Sequence, residues 1–249
     1  MTSIKLNRDF LKDIARQHTD FSETDQSKGI APPPIQKPYS DEHKLIRLPK
    51  RDEWTTIAET TIEMAIASRK SHRKYKAKSI SIEELSYLLW ATQGIRYIGA
   101  PERGYRNVPS AGCRHAFETY LCVLNVESLE PGIYRYLPVE HSLILEHSIV
   151  QLSEKIVSAT LKQSFTGKAA VNFIWTVIPY RTEWRYGPAS HRVIAIDVGH
   201  VCQNLYLACT AINAGTCAIA AFNQLQIDDL LGLDGNDEFT IYLAPVGKI

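Results

Sequence analysis

The hydrophobic patterning of this chain predicts an α+β fold. Helical periodicities and strand-like runs both occur, but they do not alternate strictly, as a doubly wound parallel sheet requires. Two of the strand runs, 132–137 and 142–146, are close enough to form a hairpin. With 45% hydrophobic and 22% charged residues, the chain has an ordinary globular composition, which excludes wholesale disorder. At 249 residues it can bury roughly 70–75% of its unfolded surface, enough for a large core or one ligand cavity.

The first 50 residues stand apart. They hold Pro32, Pro33, Pro34, Pro38 and Pro49, many charges, and no sustained periodicity after about Gln17. This segment reads as an extended arm laid over its own domain or a partner subunit, or as a loosely held tail. The folded domain is expected over residues 51–249. Its first helix spans Thr55 to Ser68, with Ile57, Ile62, Ala65 and Ile66 at helical spacing. The second runs from Ser81 to Gln93, opened by a Ser81/Glu84 capping box and closed by Gly94. Strands follow at Thr119–Val126, Gly132–Leu137 and Ser142–Glu146, then a helix at Ser148–Thr160 and a buried strand at Ala169–Ile178. A long helix is expected over Asp197–Asn213 with Gly215 as its stop signal. Strands at Thr216–Ala221 and Glu238–Val246, with a short helix at Gln226–Leu231 between them, complete the pattern.

Twenty-eight basic and 27 acidic side chains give a net charge of +1, which argues against nucleic acid or an anionic membrane surface as partner. The longest stretch free of Asp, Glu, Lys and Arg, Val198 to Ile227, is interrupted by His200, Gln203, Asn204, Asn213 and Thr216, so it does not read as a membrane span. The N-terminus lacks a signal peptide's apolar core, and a cytoplasmic location is expected. Cys113, Cys122, Cys202, Cys209 and Cys217 form no C-x-x-C and lie in apolar stretches, so buried thiols are expected, without disulfides or a metal site.

Three segments can carry chemistry. The run Arg69-Lys70-Ser71-His72-Arg73-Lys74 follows the first helix. In an extended conformation residues 69, 71 and 73 share one face, and two guanidinium forks around a hydroxyl suit a phosphate monoester. A solvated basic turn complementing the helix dipole is the competing reading. In Arg106–Gly112, proline fixes a turn, Ser110 is an N-cap candidate, and Ala111 and Gly112 let a flat ligand approach the backbone. The small-residue run Thr216–Phe222 can turn amides toward a ring, or simply pack closely.

Taken in order, these segments resemble the FMN-dependent nitroreductase superfamily, and most closely its SagB-type dehydrogenase branch. The resemblance rests on R-x-S-x-R at 69–73, LLWATQG ending at Gly94, R-x-x-P-S-A-G at 106–112, and GIYRY at 132–136. Arg185-Tyr186-Gly187, DVGH at 197–200 followed by Asn204-Leu205, and LLGLD at 230–234 continue it. It implies a three-layer sandwich, a central mostly antiparallel sheet flanked by helices, in an interlocked homodimer with FMN at the interface. It further implies that Arg69 and Ser71 hold the FMN phosphate and ribityl chain, and that Arg73 stands by the N1 edge of the ring. There a cation stabilises the charge of reduced flavin. Pro109, Ser110, Ala111 and Gly112 are implied to line the flavin from the second subunit, Ala218, Ile219 and Ala220 to back the ring, and Lys248 to add a phosphate contact.

The implied activity is hydride transfer through flavin N5. Either NAD(P)H is the donor and a small acceptor such as a nitroaromatic or quinone is reduced, or an organic substrate is dehydrogenated. A non-catalytic flavin-binding protein and an accessory subunit of a peptide-modifying complex are the alternatives. Arg185-Tyr186 occupies the place where azoline-oxidising members carry a Lys-Tyr pair. Arginine stays protonated and cannot serve as a base, so Tyr186 is left as acid or hydrogen-bond donor and Arg185 as a contact for an anionic group. A triad of His200, Asp197 and Glu183 is rejected, because His200 falls on an apolar-rich helix as a core histidine.

Overall fold

The computed structural model of the chain describes residues 3–99 and 103–249. Its centre is a seven-stranded sheet in the order β1-β6-β5-β4-β7-β9-β8, antiparallel throughout. The strands are β1 (Ile46–Arg47), β4 (Phe117–Val123), β5 (Gly132–Leu137), β6 (Ser142–His147), β7 (Val171–Val177), β8 (Ala214–Thr216) and β9 (Phe239–Lys248). A separate hairpin pairs β2 (Ile95–Gly99) with β3 (Arg103–Arg106).

Alternation along the central strands builds two cores. On β4, Phe117, Leu121 and Val123 face one side while Tyr120 and Cys122 face the other; on β7, Phe173 and Trp175 oppose Ile174. Residues of one strand that differ by one position must point to opposite faces. The first face is covered by α4 (Ile82–Gln93) and α7 (Ser190–Ala211), which supply Leu85, Leu88, Val198, Val201 and Leu205. The second is covered by α5 (Leu152–Ala159) and α8 (Gln224–Leu231), through Leu152, Ile156, Ile227 and Leu230. The three-layer α+β sandwich is thus in place.

The α4 ends agree with the capping signals: Ser81 accepts from Glu84 N–H, Glu84 reaches back to Ser81 N–H, and Gly94 closes the helix. Elsewhere the boundaries differ. The helix expected over Thr55–Ser68 forms only as α3, Ile62–Ser68, with Thr61 as its N-cap. Upstream, the Thr55 and Thr56 amides donate to the Glu83 carboxylate at 2.7 and 2.6 Å, and β-branched threonines give little helical preference to oppose that pull. The long helix begins at Ser190 rather than Asp197 and ends at Ala211. Gly215 lies within β8, and the left-handed residue after the helix is Asn213 at φ 50°. His200 is exposed, not a core residue. The β2–β3 hairpin and α6 (Tyr180–Tyr186) had no counterpart in the sequence reading.

By length and composition the run Tyr180–Ala211 is apolar enough to span a bilayer, but Gly187 at φ 50° separates α6 from α7, and α7 buries one whole face in the core. The N-terminal segment carries two short helices, α1 (Ser3–Phe10) and α2 (Ile14–Gln17), and a 3-10 turn at Phe21–Glu23 running into a tight turn at 25–29, before an extended stretch begins. The segment from Gln26 onward is tied to the rest of the chain. Gln26 N–H donates to the Trp184 carbonyl at 2.9 Å, Lys37 N–H to Glu118 at 2.8 Å, and Arg135 to the carbonyls of Lys37 and Pro38.

Candidate functional site

Two clusters of the expected site residues form, one at each part of α7. The first gathers around Tyr206. After α3 the chain runs extended, and Ser71 makes a parallel bridge to Thr216 at the sheet edge, with His72 N–H donating to the Thr216 carbonyl at 2.9 Å. This alternation leaves Arg69, Ser71 and Arg73 exposed while His72 is pressed on Gly215, where any Cβ would come within 2.6 Å of the imidazole stem. Burial, and then the Lys70 charge, hold the His72 pKa below its ordinary value. The Arg69 guanidinium lies 5.4 Å from the Tyr206 ring centre, the Ser71 and Tyr206 hydroxyls are 2.9 Å apart, and Ala218 N–H donates to Tyr206 at 2.8 Å.

Arg69, Lys70, His72, Tyr206 and Thr216 border a cavity of about 310 Å³ whose lining contains no Asp or Glu side chain. The buried Thr216 hydroxyl has no partner among the described residues. Cations, hydroxyls and an unanswered polar atom, with no Asp or Glu side chain beside them, are the donor set an anionic phosphate requires, so the residues present fit the phosphate end of a flavin mononucleotide. Ala220 is exposed and Ala218 half-buried, while Ile219 turns its side chain into the second core and pairs with Leu243.

Lys248 does not join this cluster. Its ammonium is buried against Glu84 and donates to the Ile212 carbonyl at 2.6 Å. The register that pairs Lys248 with Ala214 turns it under α4, so its charge is spent on a structural pair, and the expected phosphate contact is corrected on that ground.

The second cluster brings Pro109–Gly112 against Arg185 and Tyr186. Ala111 N–H donates to Asp197 Oδ2 at 2.8 Å and His115 N–H to Ser110 Oγ at 2.9 Å, fixing the turn on α7. Burial raises the Asp197 pKa, partly offset by its bonds from Ser110 and Ala111. Gly112 adopts φ 58°, and a Cβ there would meet Arg185 Cδ and Nε and the Tyr186 hydroxyl at 2.6 Å. The Arg185 guanidinium lies over the Tyr186 ring at 5.4 Å.

Within one chain the two clusters remain apart: Asp197 and Tyr206 are nine residues apart on α7, about 13 Å of helix. Sequence reasoning missed Tyr206, although it directly follows the Asn204-Leu205 pair, and it missed Arg114, which stacks on Trp184.

The nitroreductase family model matches residues 66–248. The chain belongs to the nitroreductase family. A nitroreductase-like protein of Methanocaldococcus jannaschii is 34% identical over 194 residues, 77% of this chain and 93% of its own. The trifolitoxin-processing protein TfxB of Rhizobium leguminosarum bv. trifolii is 29% identical over 156 residues, 60% of this chain and 41% of its own. Among solved structures, a nitroreductase-like protein of Anabaena variabilis superposes with a TM-score of 0.63 at 28% identity, covering 75% of this chain and 37% of that one. The Escherichia coli microcin synthetase McbBCD complex superposes at 0.61 over 100% of this chain and 98% of that one, at 16% identity, and so shares the fold. The nitroreductase fold and an oxidoreductase family are therefore established for this chain.

Proposed function

We propose that this nitroreductase-family chain is an FMN-dependent oxidoreductase that works as a homodimer. The observation that carries the proposal is the cavity bordered by Arg69, Lys70 and Tyr206, free of Asp and Glu side chains, with the Ser71 hydroxyl bonded to Tyr206. Arg69 and Ser71 would hold the phosphate and ribityl chain, Arg73 would stand at the ring edge, and the backbone of Ala218, Ile219 and Ala220 would support the ring. When bound, FMN supplies the two-electron chemistry, accepting or donating a hydride at N5.

Pro109 to Gly112 and the adjoining Arg185-Tyr186 would close the site from the partner subunit. The separation of the two clusters along α7 supports that arrangement, because an interface is where one chain's turn can complete another chain's pocket. Ile62, Met64 and Ile66 of α3 are 68%, 62% and 60% exposed, and Tyr97, Ile98 and Ile196 stand out as well. Apolar side chains in that number outside the core favour a covered surface.

In this reading Tyr186 donates a hydrogen bond or proton to the reacting substrate, held in place by Gly112 and the Arg185 plane. Arg185 remains a cation and orients an anionic group. NAD(P)H is the proposed donor and a small nitroaromatic or quinone the acceptor. Five unpaired cysteines, four of them buried, accord with a cytoplasmic location. Anaerobic mixing with NADPH tests the donor: rapid bleaching of the flavin band is expected, and a flavin that stays oxidised would refute it. The likeness to the trifolitoxin-processing protein favours a second reading, a SagB-type dehydrogenase acting within a peptide-modifying complex. That reading predicts low activity alone and stable co-purification with a partner protein.

A further inference from the structure

Close to Gly112 stand two guanidinium groups, Arg114 and Arg185, that no carboxylate answers among the described residues. Arg181 donates to Glu118 at 2.5 Å, Arg135 to Glu146 at 2.5 Å, and Arg106 to Gln93 and to the carbonyls of Ile35 and Phe117. Arg114 and Arg185 have no carboxylate partner and only one hydrogen bond each among the described residues. Arg114 is only 6% exposed, yet among the described residues its one hydrogen bond runs from Nε to the Arg181 carbonyl at 3.1 Å, with its plane 4.7 Å from the Trp184 ring centre. Arg185 Nε is buried without an acceptor, and Nη1 donates to the neutral amide oxygen of Gln26 at 3.0 Å. No ion pair among the described residues includes either side chain.

The two cations are neighbours. In an α-helix the carbonyl of residue 181 faces the amide of residue 185, so the bond from Arg114 to that carbonyl sets its guanidinium against the turn that carries Arg185. Burial pushes the Arg114 pKa down, and the Arg103, Arg185 and Arg181 charges push it the same way. Retaining buried cations without a counter-charge is costly. An oxyanion would relieve that cost.

We propose that Arg114 and Arg185 form a subsite for the carboxylate or phosphate of an anionic ligand, which the amide oxygen of Gln26 fills in the free chain. It deepens, and rests on, the reading that places Tyr186 at the reacting end of the substrate. Two guanidinium forks match an oxyanion's paired oxygens, and Gly112 lets Arg185 and the Tyr186 hydroxyl pack side by side against the backbone. The ligand class is therefore an organic acid, or a nicotinamide donor held by its phosphate.

Calorimetric titration of the full-length protein with benzoate, adenosine 2′,5′-bisphosphate and neutral benzamide tests the subsite. Saturable binding of at least one anion is expected, with benzamide silent. Arg114→Gln and Arg185→Gln should each weaken that anion about tenfold, the loss of one charge-assisted contact, and Arg185→Lys should recover part of it. Benzoate binding alone assigns the subsite to an organic acid; bisphosphate binding alone assigns it to a nucleotide phosphate. If neither anion binds, or if the folded Arg185→Gln protein binds as tightly as wild type, the proposal is overturned. Should Arg114→Gln not fold, the half-buried Arg185 decides. Calorimetry does not depend on a flavin, so a colourless protein that still binds benzoate contradicts the flavin reading and leaves the subsite standing.

Discussion

The hydroxyls of Ser71 and Tyr206 lie 2.9 Å apart across 135 residues of sequence, and Tyr206 also accepts the Ala218 amide at 2.8 Å. One phenol thereby joins the basic segment after α3 to the small-residue segment after β8. Tyr206→Phe removes both contacts while keeping the ring under Arg69. The expected result is a protein with native circular dichroism, destabilised by about 1–2 kcal/mol, and with an FMN Kd raised about tenfold in fluorescence titration.

Lys248→Met separates a structural role from a ligand-binding one. It leaves Glu84 without its ammonium and the Ile212 carbonyl without its donor. Breaking such a pair should cost about 2–4 kcal/mol in urea unfolding, and Glu84→Gln in the same chain should restore part of it. The folded fraction should bind FMN as tightly as wild type. Weakened FMN binding in that fraction would return Lys248 to the phosphate site.

Gly112→Ala should disturb the Arg185-Tyr186 pair without reaching the Ser71 cluster. The position has φ 58°, and the new methyl would meet both side chains at 2.6 Å. A left-handed backbone and a steric conflict together should cost about 1–3 kcal/mol. Turnover should fall at least tenfold, and FMN affinity should weaken less than in Arg69→Ala, read by steady-state kinetics beside a flavin titration.

The buried His115 gives a pH signature. Burial, and then the charges of Arg106, Arg114 and Arg181, lower its pKa from 6.5 to about 3. Between those values the unfolded chain binds a proton that the folded chain does not, so stability rises with pH across this window. It is lost at about 1.4 kcal/mol per pH unit on acidification below about 6.5. His115→Asn, with a side chain that tolerates the positive φ found here, should remove this component from urea midpoints measured from about pH 6 to pH 4.5.

Much of the fold was legible because local chemistry and tertiary demand agree in it. The Ser81/Glu84 box, the Gly94 stop and the 132–137/142–147 hairpin are set by residues only a few positions apart. The Thr55–Ser68 helix misled because Glu83, a distant residue in sequence, captures the Thr55 and Thr56 amides. Asp197 looked like a helix start, but its carboxylate serves the Ala111 amide from within α7. Lys248 shows the limit for site residues: its position along the chain matched the family pattern, whereas its pairing with Glu84 depends on how β9 lies under α4. Arg114 and Tyr206 gave no local signal, since their significance comes from stacking partners 70 and 137 positions away by number, Trp184 and Arg69.

The central claim is that Arg69 and Ser71 hold FMN. The most direct measurement is the flavin-to-protein ratio, from the visible absorption spectrum of the purified protein after reconstitution with FMN, in wild type beside Arg69→Ala and Ser71→Ala. Near-stoichiometric flavin in wild type, falling sharply in both variants while each remains folded, is the predicted result. A wild-type protein that stays colourless with added FMN, or two variants that retain full flavin, would contradict it.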